Sequence, residues 1–142
     1  MKILFTSVGR RVELMQAFRK AADELGVQLT IIGADITESA PALFFCDETK
    51  IVCRIKEPGY IPQLLEICEA ESVDCLIPTI DTDLLLLAEN KEKFEAIGTK
   101  VLISAADKVK LCRDKRYTAD YFMSVGLKSP VPVVDVSKYN LG

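Results

Sequence analysis

Short, β-rich apolar runs alternate with helical patterns five times along this chain, and that alternation restricts the fold more than any other feature. The runs Lys2–Val8, Gln28–Ala34, Lys50–Ile55, Asp74–Pro78 and Lys100–Ser104 predict strands. Between the first two, Val12, Leu14, Met15, Phe18, Ala22 and Leu25 recur at helical spacing, and Gly26 ends the pattern. A loop at Thr37–Pro41 leads into a short helix over Ala42–Cys46. Ile61, Leu64, Leu65 and Cys68 mark the next helix, and Asp81–Ile97 another, with Asp81 or Thr82 as N-cap and Gly98 as its stop. Short helices follow over Ala105–Cys112 and from an Asp114 cap to Val125. Strands that read as near-continuous apolar runs belong to a parallel sheet covered on both faces. The expected fold is α/β: a Rossmann-like three-layer α/β/α sandwich on a mostly parallel five-stranded sheet, whose switch point falls between strands one and four if the order is 3-2-1-4-5.

The pattern changes after Gly126. Two prolines, Pro130 and Pro132, force extended backbone, and Val133–Val136 reads as the first strand of something else. Residues 1–128 are expected to form one complete domain, and 129–142 a linker with the start of a second.

Composition excludes several classes of function. Eighteen Lys and Arg against twenty-one Asp and Glu give a net charge of −3, so no basic excess draws the chain to nucleic acid or an anionic membrane. The longest apolar block, Leu84–Ala88, is far below the ~20 residues of a membrane span. The apolar start is too short for a signal peptide. There is no histidine, which removes Ser-His-Asp triads, Cys-His dyads and histidine metal sites. Five cysteines without a CxxC read as reduced, mostly packed thiols of a cytoplasmic protein.

In an open α/β sheet, ligands bind beyond the carboxyl ends of the strands where strand order reverses. Here that crevice lies between strands one and four. Gly9, Arg10 and Arg11 follow strand one; Thr79, Ile80, Asp81, Thr82 and Asp83 follow strand four. Two guanidiniums and free backbone N–H groups at a helix start suit a phosphate or carboxylate, facing two carboxylates across the crevice. The plainer alternative is a pair of solvated arginines and an Asp81 helix cap. A dinucleotide site is disfavoured: Ser7-Val8-Gly9-Arg10-Arg11-Val12 carries one glycine where G-x-G-x-x-G is needed. Asp35 stands where a ribose-binding acid would, although a loop aspartate is an ordinary turn residue. Arg113, Lys115 and Arg116 cluster around Asp114 at a helix start, where they either hold nucleotide phosphates or are solvated.

The opening ILFTSVGRRVEL, the GAD at Gly33–Asp35, SAPALFFCD, LIPTIDTDLLLLAEN and DKRYTADYFMSVGLKSP occur in this order. Together they resemble the N-terminal pre-ATP-grasp domain of an ATP-grasp ligase, more narrowly the carbamoyl-phosphate synthase large-subunit-like proteins. The likeness runs from Lys2 to about Pro132. It implies chemistry in which ATP phosphorylates a carboxylate or bicarbonate and a nucleophile such as ammonia or an amine then displaces the phosphate. It also implies that this domain walls the cleft and helps hold the acceptor. Gly9, Arg10 and Arg11 match the loop after strand one, Asp81 and Asp83 the acidic turn after strand four. Lys115 resembles the Lys or Arg that reaches the nucleotide in biotin carboxylase and carbamoyl-phosphate synthase.

A whole ATP-grasp enzyme continues well past Gly142, into the adenine pocket, the phosphate-covering loop and the acidic magnesium ligands. The expectation is therefore a domain that needs a missing ATP-grasp domain, uses ATP and Mg2+ only in the full-length protein, holds neither cofactor alone, and has a homodimer as a possible assembly. The competing expectation is a free-standing Rossmann-like module that senses a small anion or nucleotide. The DK helix followed by SPVPVVDV favours the first, because a complete sensor has no use for the start of a second domain.

Overall fold

The computed structural model describes residues 1–130 and Val133. Apart from Val133, the strand expected over Val133–Val136 lies outside the described residues. By internal contact the chain divides into two compact units, Met1–Ser104 and one that begins at Ala105. The division falls ahead of the change in composition after Gly126.

In the first unit, β1 (Lys2–Thr6), β2 (Thr30–Asp35), β3 (Glu48–Ile51), β4 (Cys75–Pro78) and β5 (Lys100–Val101) form one sheet of order β3-β2-β1-β4-β5. Every pairing is parallel, and β1 lies between β2 and β4 with Thr6 opposite Ala34 on one side and Pro78 on the other. The helices are α1 (Val12–Leu25), α2 (Tyr60–Glu71), α3 (Asp81–Glu89) and α4 (Lys91–Ala96), with a 3-10 turn at Pro41–Phe45.

Period-two alternation along β1 divides the core between the two faces of the sheet. Ile3 and Phe5 pack with Met15 of α1 and Leu43 of the 3-10 turn, and the Phe18 ring meets Phe5 edge-on at 4.9 Å. Leu4 faces the other way, with Ile32, Tyr60, Leu64, Leu76, Leu87 and Phe94 under α2, α3 and α4.

Several boundaries differ from the sequence reading, and four of the differences have a clear local reason. β1 ends at Thr6 rather than Val8, because Ser7 turns into left-handed backbone at φ 54°. β3 sits over Glu48–Ile51 rather than Lys50–Ile55: Asp47 exchanges bonds with Ile31 at its start, and Cys53 N–H leaves the sheet for Gln63 Oε1 at 2.8 Å. β5 stops at Val101, and only Leu102 N–H reaches on to Leu76 O. The helix expected over Asp81–Ile97 breaks at Asn90, whose side-chain amide turns back to Leu86 O at 2.8 Å. The residue at the cap position of α3 is Ile80, with no side-chain cap, so Asp81 is the first helical residue and acts on the helix dipole instead.

The second unit contains α5 (Ala106–Arg113) and α6 (Lys115–Ser124). Thr118 Oγ1 bridges them, donating toward Leu111 O at 3.1 Å and Asp114 O at 3.0 Å. Asp114 caps α6 by accepting from Arg116 N–H at 2.9 Å.

Candidate functional site at the switch point of the sheet

The sheet order puts the topological switch point between β1 and β4. The two strand ends are stitched together there: Thr79 Oγ1 donates to Ser7 O at 2.6 Å, and an Arg11 guanidinium nitrogen reaches Thr79 O at 3.4 Å. Gly9, Arg10, Arg11 and Thr79 therefore occupy one locality, as the strand order required. Arg10 and Arg11 are exposed, and the first turn of α1 has no side-chain cap. A helix start without a side-chain cap, next in sequence to two exposed arginines, is a combination that favours an anion.

The loop between them is already committed internally. Gly9 N–H is not free for a ligand. It donates instead to Asp35 Oδ2 at 2.8 Å, while Asp35 Oδ1 accepts from Ile36 N–H at 2.8 Å. Asp35 thus accepts a backbone N–H on each carboxylate oxygen and clamps the β1 and β2 ends together. Val8 N–H goes to Ala34 O, and Gly9 O accepts from Ala42 N–H. Gly9 at φ 48° follows Ser7 at φ 54°, so two left-handed residues sit within three positions.

The two aspartates after β4 part company. Asp81 is exposed, but Asp83 is fully buried. Asp83 was expected to face the guanidiniums. It lies one helical turn before buried Leu87 and points under the sheet instead, and among the described residues no ion pair joins Arg10 or Arg11 to either aspartate. Asp83 Oδ2 accepts from Thr6 Oγ1 at 2.8 Å, Tyr60 Oη at 3.2 Å and, more weakly, Ser7 Oγ at 3.4 Å. Its other oxygen, Oδ1, is buried without a hydrogen-bond partner. Burial pushes its pKa up, against the opposing pull of Thr6, Tyr60, its own amide and Ser7. The Tyr60 hydroxyl is also pushed up, by burial first and by the neighbouring carboxylate second.

Sequence reasoning did not single out Thr6, Ser7 or Tyr60. Two signals were present. Thr6 shares the inward face of Leu4 by alternation, and Tyr60 stands four residues before Leu64 on the buried stripe of α2.

In the second unit, Lys110, Arg113, Asp114, Lys115 and Tyr117 line an open recess. Arg116 is tied to Asp114 at 2.6 Å, and this pairing holds the Asp114 carboxyl down at about 2. Lys115 has no such tie among the described residues. No group of three or more His, Cys, Asp or Glu suited to a metal occurs among the described residues, and none of their helices is long and apolar enough to cross a membrane.

Residues 3–102 match the family model described as the PylC-like, N-terminal domain. The chain belongs to this family. No curated protein matches it in sequence. Among solved structures, a complete multifunctional pyruvate carboxylase from Rhizobium etli superposes on the PylC-like chain with a TM-score of 0.62 at 19% identity, over 94% of this chain and 13% of that one. Glycinamide-RNase-transformylase T from Mycobacterium tuberculosis gives 0.62 at 16% identity, over 89% and 35%. The biotin carboxylase domain of a single-chain bacterial carboxylase gives 0.59 at 15% identity, over 88% and 29%. The PylC-like chain spans only 13% to 35% of the length of these three. The family match makes it a PylC-like N-terminal domain, and its fold is one that it shares with a biotin carboxylase domain.

Proposed function

We propose that this PylC-like domain is the acceptor-side wall of an ATP-dependent carboxylate–amine ligase that works through an acyl phosphate, and that it acts only with an ATP-grasp domain the chain does not contain. The observation that carries this is the switch-point crevice, where Arg11 reaches Thr79 O at 3.4 Å beside a start of α1 that has no side-chain cap, and where Arg10 and Asp81, their neighbours after β1 and β4, are exposed. A guanidinium pair beside free helix N–H groups holds a carboxylate or bicarbonate, and exposed Asp81 limits how much negative charge the site accepts.

Lys115, unpaired beside Arg113 and Tyr117, fits the phosphates of ATP, which would supply the activating phosphoryl group. Magnesium does not fit the described residues, which gather no set of acidic ligands, so its ligands belong to the ATP-grasp domain. The residues of this domain bind and orient; they perform no bond-making step.

The test uses the full-length protein with ATP and a panel of bicarbonate and small carboxylates. Arg10→Ala and Asp81→Asn should change acceptor binding and leave ATP affinity near its original value, whereas Lys115→Met should weaken ATP binding. The 142-residue chain by itself should not turn over ATP. Arginine variants that lose ATP while binding acceptor normally overturn the assignment. A free-standing anion sensor would instead bind its anion with the 142-residue chain alone and gain nothing from ATP.

A further inference from the structure

The Asp83 cluster has no role in the crevice as described, yet it holds a fully buried carboxylate with one oxygen unpartnered. A buried acceptor left unmade costs roughly 1–3 kcal/mol, so such a group requires an explanation. Its environment is uniform. Thr6 and Ser7 reach it from the end of β1 and Tyr60 from the start of α2. On α3 itself Asp81 is exposed, and Leu87 is the buried neighbour one turn on. Tyr60 is the one titratable partner, and no charged side chain is among the groups that act on the Asp83 carboxyl.

We propose that Asp83 is a positioning residue that works as a proton-operated latch on Ser7, the residue from which the Gly9–Arg11 loop departs. In the ionised form, Oδ2 draws in all three hydroxyls, and the charge holds Ser7 in its left-handed turn. In the neutral form the proton resides on Oδ1, the oxygen with no partner. Oδ2 then becomes a carbonyl oxygen, which two short donors satisfy. The contact surrendered is the longest, Ser7 Oγ at 3.4 Å, while Thr6 at 2.8 Å and Tyr60 at 3.2 Å remain. Ser7 is the partner with strain to release, since left-handed backbone at φ 54° is unfavourable for a residue with a Cβ. The movement passes along the chain because Ser7 O is also the acceptor of Thr79 Oγ1, the bond that ties the two sides of the crevice. The functional weight of the latch rests on the crevice reading above; the latch itself does not.

The experiment is a pH titration of the 142-residue chain by NMR, with no ATP or acceptor present, following the Asp83 carboxyl carbon and the Ser7 backbone amide. Both should titrate with one shared midpoint above the 3.8 of an ordinary aspartate. Asp83→Asn should abolish that step at Ser7. Asp35→Asn should leave it in place, although it alters Gly9, whose N–H Asp35 accepts. Ser7→Ala removes one donor to the ionised form and should move the Asp83 midpoint further up. An Asp83 midpoint at the ordinary value overturns the latch. So does a Ser7 amide that fails to follow it, or a midpoint unmoved by Ser7→Ala. If Asp83→Asn does not fold, the wild-type and Ser7→Ala titrations decide alone. A failed latch leaves the acceptor assignment of Arg10 standing, and a failed Arg10 assignment leaves the latch standing.

Discussion

The Gly9 N–H donates to Asp35 Oδ2 at 2.8 Å, and this bond braces two strand ends at the position that binds ribose in dinucleotide folds. Asp35 Oδ1 is occupied as well, by Ile36 N–H at 2.8 Å. Asp35→Ala should therefore lower stability by about 1–2 kcal/mol, because two backbone donors lose a charged acceptor. A urea unfolding midpoint measures it. The same chain should leave NADH fluorescence unchanged on titration; saturable enhancement would show that the brace opens to admit a dinucleotide.

Gly33 is the residue of β2 over which the 3-10 turn passes. A Cβ there would lie 2.6 Å from Cys46 Sγ and 2.9 Å from Leu43 Cδ2. Gly33→Ala should cost about 1–3 kcal/mol by overpacking. The double variant Gly33→Ala with Cys46→Ala should recover a substantial part of that loss, because the closest atom is removed. Additive destabilisation in denaturant would mean that Leu43 or the backbone, not the thiol, limits the space.

The sheet order was legible because apolar alternation and loop position both report on which strands are buried and parallel. Five runs, each followed by a helical pattern, pointed to a parallel sheet; the 3-2-1-4-5 order, only supposed from the sequence, is the one found, and Thr79 meets Ser7 across the switch point. The site was less legible because its decisive residues break the rules by which residue type signals environment. Asp83 reads as a surface acid in DTDLLLL, since aspartate is almost never fully buried without a partner. Four consecutive leucines also conceal the helical period, so nothing marks the face shared by Asp83 and Leu87. Ser7 gives no hint of a positive φ, which the sequence reserves in appearance for Gly9. Asn90 ends α3 through a side-chain bond that the apolar pattern, running on to Phe94 and Ile97, masks.

The thiols should differ in reactivity by their surroundings. Cys112 is exposed, whereas burial raises Cys46 and Cys68 to about 11. The thiolate is the reacting species, so at pH 8 iodoacetamide should label Cys112 first and leave Cys46 and Cys68 slowest by at least about tenfold. Peptide mass spectrometry over time reads the order. Early labelling of Cys68 would show that α2 opens from the sheet more readily than its packing implies.

The last prediction concerns stability against pH and follows from Asp83. An acid whose folded value lies above its unfolded value of 3.8 binds its proton more tightly in the folded chain. The folded state then carries more protons than the unfolded state between those two values, so stability falls as pH rises through that window. The contribution is complete below 3.8 and is lost once the pH passes the folded value. Each pH unit of the window is worth about 1.4 kcal/mol. Asp83→Asn cannot ionise and removes this slope. The unfolding free energy of the wild type minus that of Asp83→Asn should therefore decrease from mildly acidic to neutral pH and then level off, as measured in urea at a series of pH values. Tyr60→Phe should extend the wild-type loss to higher pH, because it deletes a donor that favours the ionised carboxylate. A wild type that gains on Asp83→Asn as pH rises would show the opposite arrangement, in which the three hydroxyls more than offset burial and hold Asp83 as an anion.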